Sequence, residues 1–374
     1  MNNSNTFLID LNDASIEEKK KYFIERTANH PLLSKTYLEI REKIRESAGG
    51  KIYLVYGPTG VGKSTLYNKL KNTVTKSHQM TNVHSSLIPI VGLELPAPDN
   101  GKFNWKDFYR RILREMNEPL IDKKIKKDHH PKKFIPNYLP STAPELRESL
   151  ENSIIYRETK IILLDEAQHL LKVASGKNIQ DQMDALKSIA NLTGAIIVMF
   201  GTYELMDFFD LNGQLGRRTE EIHFPRYNIN VKEEADAFIN VIATFQTHIP
   251  LKNNSDLSSH WEFLYERSIG CIGILKEWLD NCVKEALNNN ENSITIKLLE
   301  KHAPTPKKVL KIANEVLDGE KNVKDMENQR SLLRDKLGLN KLSKVSAESS
   351  KKKGKDVGKR NPTRDIVGIV EDGA

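Results

Sequence analysis

The sequence is short of the features that mark several protein classes. It holds two cysteines in 374 residues, Cys271 and Cys282, too few for a disulfide framework or a four-thiolate metal site. Its longest clean apolar stretch is Ala195–Phe200, far below the roughly 18–20 residues needed to span a bilayer. The opening MNNSNTFLIDLNDAS has no basic segment ahead of an apolar run, so no secretory leader is read there. Apolar residues make up 38% and charged residues 29%, leaner in core-forming side chains than an average domain. No repeat recurs at a fixed period. These absences lead us to expect a soluble, reduced, cytoplasmic protein without a membrane partner, in which an ordinary core carries exposed or unordered segments.

What charge there is sits in two places. The formal net charge is +7. Lys123, Lys124, Lys126, Lys127, Lys132 and Lys133 stand against Asp122 and Asp128 within 121–133, and nine cations stand against five acids in 341–374. Each segment contributes +4, which leaves the rest of the chain slightly acidic. Such local basicity suits contact with a polyanion at particular places; solvated lysine-rich loops are the plainer alternative.

Ser15 suits a helix N-cap, with Glu17 and Glu18 following. A helical pattern then runs to about Ser47, broken at His30-Pro31 because proline disfavours helix in the residue before it. After Gly49-Gly50 the register changes. Strand-like runs at Lys51–Tyr56, Leu87–Leu95, Lys160–Leu164, Ala195–Phe200 and Glu221–Phe224 alternate with helical stretches such as Trp105–Met116, Glu145–Tyr156 and Ile179–Leu192. That alternation argues for a parallel sheet covered by helices on both faces. The expected organisation is an N-terminal helical segment (1–47), an α/β domain (48–228), a small all-α domain (229–317), a helical extension (318–345) and a flexible basic tail (346–374). The tail has too few large apolar residues to offset its ordering entropy.

Gly57-Pro58-Thr59-Gly60-Val61-Gly62-Lys63-Ser64 fits G-x-x-x-x-G-K-[ST] at every required position. A strand ends at Tyr56 and a helix opens at about Gly62, so the turn between them can wrap backbone N–H groups around a β-phosphate. Glycines permit that close approach, and the helix N-terminus favours an anion. Lys63 would reach the β/γ-phosphates and the Ser64 hydroxyl would ligate Mg²⁺, with Thr65 completing the binding run. The chemistry implied is ATP bound with Mg²⁺.

A second acidic element is needed, and Lys160–Leu164 runs straight into Asp165-Glu166. Asp165, at the end of a buried strand, would hold Mg²⁺ through water; Glu166 would orient or deprotonate the attacking water. The adjacent pair argues for hydrolysis over phosphoryl transfer to a small acceptor. Ala195–Phe200 ends in Gly201-Thr202. Thr202 would face the γ-phosphate from a neighbouring strand end, or serve as N-cap of the next helix. Arg217 and Arg218, just before the last strand-like run, are well placed to reach a neighbouring subunit's nucleotide, or are simply solvated.

GPTGVGKS, IILLDEAQH, FGT and Arg217-Arg218 together resemble the AAA+ ATPases, and more narrowly the TniB/TnsC family of transposition regulators. IILLDEAQHLL (161–171) and VMFGTYEL (198–205) are the closest parts. The resemblance implies a P-loop NTPase (AAA+) fold with an all-α lid. It also implies a slow, switch-like ATPase forming homo-oligomeric rings or filaments on double-stranded DNA, and linking a target-site selector to a DDE transposase. In that setting the six lysines at 123–133 are candidates for the DNA backbone, read without base specificity. The family's lid often carries an arginine after a Gly-x-x-Gly segment. Here Gly270-Cys271-Ile272-Gly273 is followed by Ile274, and Lys276 is the nearest basic residue.

Rival readings are an AAA+ helicase loader or remodeller, a DNA-associated scaffold that uses ATP as structural glue, and a nucleotide-using defence effector. His129-His130 has no further ligand at metal spacing. The basic stretch 358–365, followed by Ile366-Val367, would dock on a partner or add non-specific DNA affinity.

Overall fold

The computed structural model describes residues 14–81, 86–98, 103–121, 142–171, 176–208 and 219–337. Two compact units divide at residue 319. The first contains five strands: β1 (Ile52–Tyr56), β2 (Ile90–Glu94), β3 (Ile161–Asp165), β4 (Ile196–Gly201) and β5 (Thr219–His223). All pairings are parallel, in the order β2-β3-β4-β1-β5. Strands β1, β3 and β4 are buried along their whole length, as expected for a sheet covered on both faces.

The helices of this unit are α1 (Ile16–Glu25), α2 (Pro31–Glu46), α3 (Lys63–Thr81), α4 (Trp105–Glu115), α5 (Ala143–Tyr156) and α6 (Gly176–Thr193), followed by α7 (Lys232–His248), α8 (Trp261–Ser268), α9 (Ile272–Asn288) and α10 (Ile296–His302). A longer helix, α11 (Pro306–Lys336), begins in the first unit and continues into the second. The second unit, 320–374, is described only through residue 337, as the rest of that helix.

Local chemistry sets several boundaries. Ser15 and Glu18 form a capping box at α1. His30 caps α2 by accepting from the Leu33 N–H, with Pro31 at the first helical position, where its missing N–H costs nothing. The strand expected over 87–95 is shorter, because Pro89 cannot donate to a ladder. Its carbonyl instead accepts from Lys160 and Ile161 at 2.9 and 3.1 Å. The last strand lies at 219–223, two residues earlier at its start than its apolar pattern suggests, paired to β1 from Ile52↔Thr219 to Tyr56↔His223.

Among the described residues two apolar cores stand out. One joins Tyr53, Val55, Leu66, Phe200 and Phe224 on a face of the sheet. The other binds α7–α10 into a helical region around Phe238, Phe245, Trp278 and Leu279. Phe23 of α1 is fully buried in that second core, so α1 packs on the helical region. The expected C-terminal tail, including 358–365, lies outside the described residues, as does His129-His130. Cys271 and Cys282 are both buried and form no disulfide. Among the described residues no helix is long and apolar enough to cross a membrane.

Candidate nucleotide site

The C-terminal ends of β1, β3 and β4 converge where the strand order places β1 between β4 and β5, the position at which open parallel sheets bind ligands. The turn 57–62 leaves β1 there. It is tied to β4 by Gly57 N–H donating to Gly201 O at 3.3 Å, and closed on itself by Val61 N–H to Pro58 O at 3.3 Å. Helix α3 opens at Lys63, directing its first N–H groups back into the turn.

The Lys63 ammonium folds onto the turn and donates to the carbonyls of Gly57 at 3.0 Å and Pro58 at 2.8 Å. Burial pulls its pKa down to about 8, against the nearby Glu166 and Asp165 carboxylates. Asp165 is buried, and that burial raises its pKa; hydrogen bonds from the Ser64 hydroxyl and the Glu166 N–H work the other way. The Glu166 N–H meets Asp165 Oδ1 at 2.9 Å. Ser64 and Asp165 are therefore already adjacent, a hydroxyl and a carboxylate of the kind that hold a hard divalent cation with water completing its shell. Glu166 itself adopts a left-handed backbone, φ 54° and ψ 37°. Such strain in a non-glycine residue recurs at functional sites.

A cavity of about 480 Å³ collects Lys63, Ser64 and Glu166, while Asp165 lines a neighbouring one that it shares with Ser64. Thr59, Lys63, Ser64 and Thr65 line it from the turn and α3, and Glu166 and Thr202 from the strand ends. Thr202 Oγ1 is buried with no hydrogen-bond partner among the described residues, so this lining residue carries an unsatisfied hydroxyl. The helical region closes the other side: Gly273 N–H donates to Gly60 O at 2.6 Å. A second cavity, of about 330 Å³, shares Gly62, Thr65 and Gly273 with the first and extends to Ala28, His30 and Leu33. Burial lowers the His30 pKa to about 4, and its Nδ1 lies 2.9 Å from the Tyr227 hydroxyl.

The structure thus brings Lys63, Ser64, Thr65, Asp165, Glu166 and Thr202 to one place. Lys276 is elsewhere. It pairs with the Asp280 carboxylate and sits over the Phe23 ring, 4.4 Å from its centroid, in the second cavity. The lid-side cations that do line the first cavity are Arg267 and Lys308. Arg267 Nη1 donates to Pro304 O at 3.3 Å, and Lys308 lies in the first turn of α11. Sequence reasoning missed both, because neither stands in the glycine segment where such a cation was sought. Arg217, Arg218 and the six lysines at 123–133 lie outside the described residues.

Residues 45–209 match the family model described as AAA domain. The fold is similar to that of the Aeropyrum pernix ORC2 protein in its ADPNP-ADP complexes, at 12% identity and a TM-score of 0.50, covering 75% of this chain and 70% of that one. It is also similar to a Walker-type ATPase of Pyrococcus abyssi, at 17% identity and a TM-score of 0.50, covering 85% and 88% respectively. At such identities the likeness is one of fold. No curated protein matches the chain. The chain carries a Walker-type AAA+ ATPase domain and is an ATP-hydrolysing enzyme.

Proposed function

We propose that this enzyme is a nucleotide-driven switch acting on DNA or on a DNA-associated assembly, in the manner of an AAA+ loader or remodeller. One observation supports it above others: Lys63, Glu166 and Thr202 face a single cavity whose opposite wall is a helical region bonded to the phosphate turn itself. Nucleotide in such a cavity touches both bodies, so its charge state can bias how they sit.

In this reading the turn 57–62 and Lys63 hold the triphosphate. The second cavity, with Ala28, Leu33, Phe245 and Ile272 offering apolar walls, takes the base. The ORC2 relative is described with ADPNP and ADP, ligands of that shape. Ser64 and Asp165 would hold Mg²⁺, which supplies charge neutralisation on the phosphates. Glu166 accepts the proton of the attacking water, whose oxygen bonds to the γ-phosphorus as the bond to the bridging oxygen breaks and ADP leaves. Thr202 positions the γ-phosphate, while Arg267 and Lys308 face it from the lid side. DNA contact falls to Lys123, Lys124, Lys126, Lys127, Lys132 and Lys133, and Arg217 or Arg218 reaches the nucleotide of a neighbouring copy in a homo-oligomer.

The test is duplex-DNA binding by the full chain with ATP, ADP or no nucleotide. We expect ATP-dependent binding that Lys63→Ala abolishes and Glu166→Gln prolongs, since nucleotide is then held but water is not activated. Equal DNA affinity in all three nucleotide states, or none in any, overturns the reading. A second reading, a transposition regulator, is favoured by the 161–171 and 198–205 sequences; it requires that a DDE transposase insert DNA where this protein is bound, which an integration assay with and without the protein decides.

A further inference from the structure

Gln168 is a polar side chain, 7% exposed, in the short 3₁₀ turn Ala167–Leu170 that follows Glu166. Both ends of its amide are engaged. Its Nε2 donates to Glu166 Oε2 at 2.5 Å, and its Oε1 accepts from the Thr202 N–H at 3.3 Å. The two partners fix the amide's orientation. A flipped amide would set oxygen against a carboxylate and NH₂ against an N–H, losing both bonds. The space is shaped to the same end: a Cβ on Gly201 would lie 2.6 Å from Gln168 Oε1.

The ladder between β3 and β4 stops at the Leu164↔Met199 pair. Beyond it the strands separate to make the cavity, and the Gln168 amide spans the gap where backbone pairing has ended. This bridge ends on the carboxylate that, in the reading above, takes the proton of the attacking water. Its other end is the N–H of Thr202, a residue that lines the cavity and whose buried hydroxyl has no hydrogen-bond partner among the described residues.

We propose that Gln168 is a positioning residue for hydrolysis, an amide clamp that joins the Glu166 carboxylate to Thr202 so that occupation of the γ-phosphate position is transmitted to the base. The inference rests on the ATPase reading of this site. The clamp holds Glu166 in its left-handed pose and sets the direction of its free oxygen. A shift of Thr202 toward a bound phosphate pulls on the amide and so re-aims the carboxylate. Gln168 lines the same cavity, but both ends of its amide are committed to Glu166 and Thr202, so its loss should appear in turnover and not in nucleotide affinity.

The experiment measures steady-state ATP hydrolysis and nucleotide Kd for the full chain carrying Gln168→Met, Thr202→Val, both together, or Gln168→Glu. Gln168→Met keeps length and apolar packing while removing both hydrogen bonds. We expect kcat to fall about tenfold or more with Kd for ATP within about twofold. Thr202→Val keeps the backbone N–H bonded to Gln168 and removes the hydroxyl through which a phosphate would act on it, so the double variant should lose less than the product of the two single losses. Gln168→Glu sets a second carboxylate against Glu166. Two carboxylates in contact come to share one proton as pH falls from about 8 to about 6, and that proton restores a bond between the introduced carboxyl and Glu166. Its kcat should therefore rise relative to wild type over that interval, which a loss of packing alone would not produce. If Gln168→Met does not fold, that pH profile decides the matter. Turnover of Gln168→Met within about twofold of wild type, fully multiplicative losses in the double variant, or a flat relative profile for Gln168→Glu overturns the clamp. A wild-type chain without turnover overturns the ATPase reading and the clamp together, a result distinct from an active wild type with an indifferent Gln168 variant.

Discussion

Gly60 and Gly273 meet backbone to backbone: the amide of the second donates to the carbonyl of the first across 2.6 Å. Gly60 has a φ of +76°, and a Cβ there would lie 2.5 Å from Ile274 Cγ1; a Cβ on Gly273 would lie 2.6 Å from the Gly60 oxygen. Neither position accepts a side chain unless the phosphate turn and α9 part. The closure of the site is set by this contact between two glycines.

Gly273→Ala should therefore open the helical region from the turn. Overpacking of this kind costs about 1–3 kcal/mol, and we expect ATP affinity to weaken by about tenfold, about 1.4 kcal/mol. Isothermal titration of the full chain checks it; unchanged affinity would show that nucleotide does not need the two elements in contact.

Burial lowers the Lys63 pKa to about 8, so the empty site releases that proton as pH rises past this value. A bound triphosphate favours the charged form and takes the proton back. Binding measured above about pH 8 should thus draw in close to one proton, and affinity should fall up to about tenfold per pH unit. Calorimetry in two buffers of different ionisation enthalpy reads the proton directly. Equal heats in both at about pH 9 would count against the assignment.

Arg267 and Lys308 line the candidate nucleotide cavity from the lid side. Hydrogen bonds to charged groups contribute about 1.5–3 kcal/mol, so Arg267→Gln should weaken ATP by about tenfold or more and ADP by less. Lys308→Ala should act in the same direction but more weakly, since its side chain is exposed. The ratio of ATP to ADP affinity is the readout, and an unchanged ratio would place both cations outside the γ-phosphate's reach.

His30 is 4% exposed and its pKa is lowered to about 4 by burial, with Lys69 adding to the effect. Its neutral ring caps α2. Because the folded value lies below the unfolded one, the stability it contributes is complete above about pH 6.5 and is lost as pH falls toward about 4, by about 3 kcal/mol. His30→Asn keeps a capping acceptor without the titration. Urea melts across that interval should show a shallower loss for the variant than for wild type.

The parallel sheet, the glycine-rich turn and the two acids at the end of β3 were legible in the sequence because each is local. Alternating apolar runs, a glycine spacing and a strand ending in Asp165-Glu166 need only short stretches of chain to be read. Tertiary structure decided what depends on contacts between distant segments. Only packing puts Phe23 into the core of α7–α10, turns Lys276 toward Asp280 and the Phe23 ring, and brings Arg267 and Lys308 to the candidate nucleotide cavity. The same holds for Gln168, which reads as one more polar residue after a strand until the separation of β3 from β4 gives its amide a carboxylate on one side and the Thr202 N–H on the other. A motif records what a short segment must be to meet a ligand; which remote side chains share that space is fixed only when apolar burial folds the helical region over the turn.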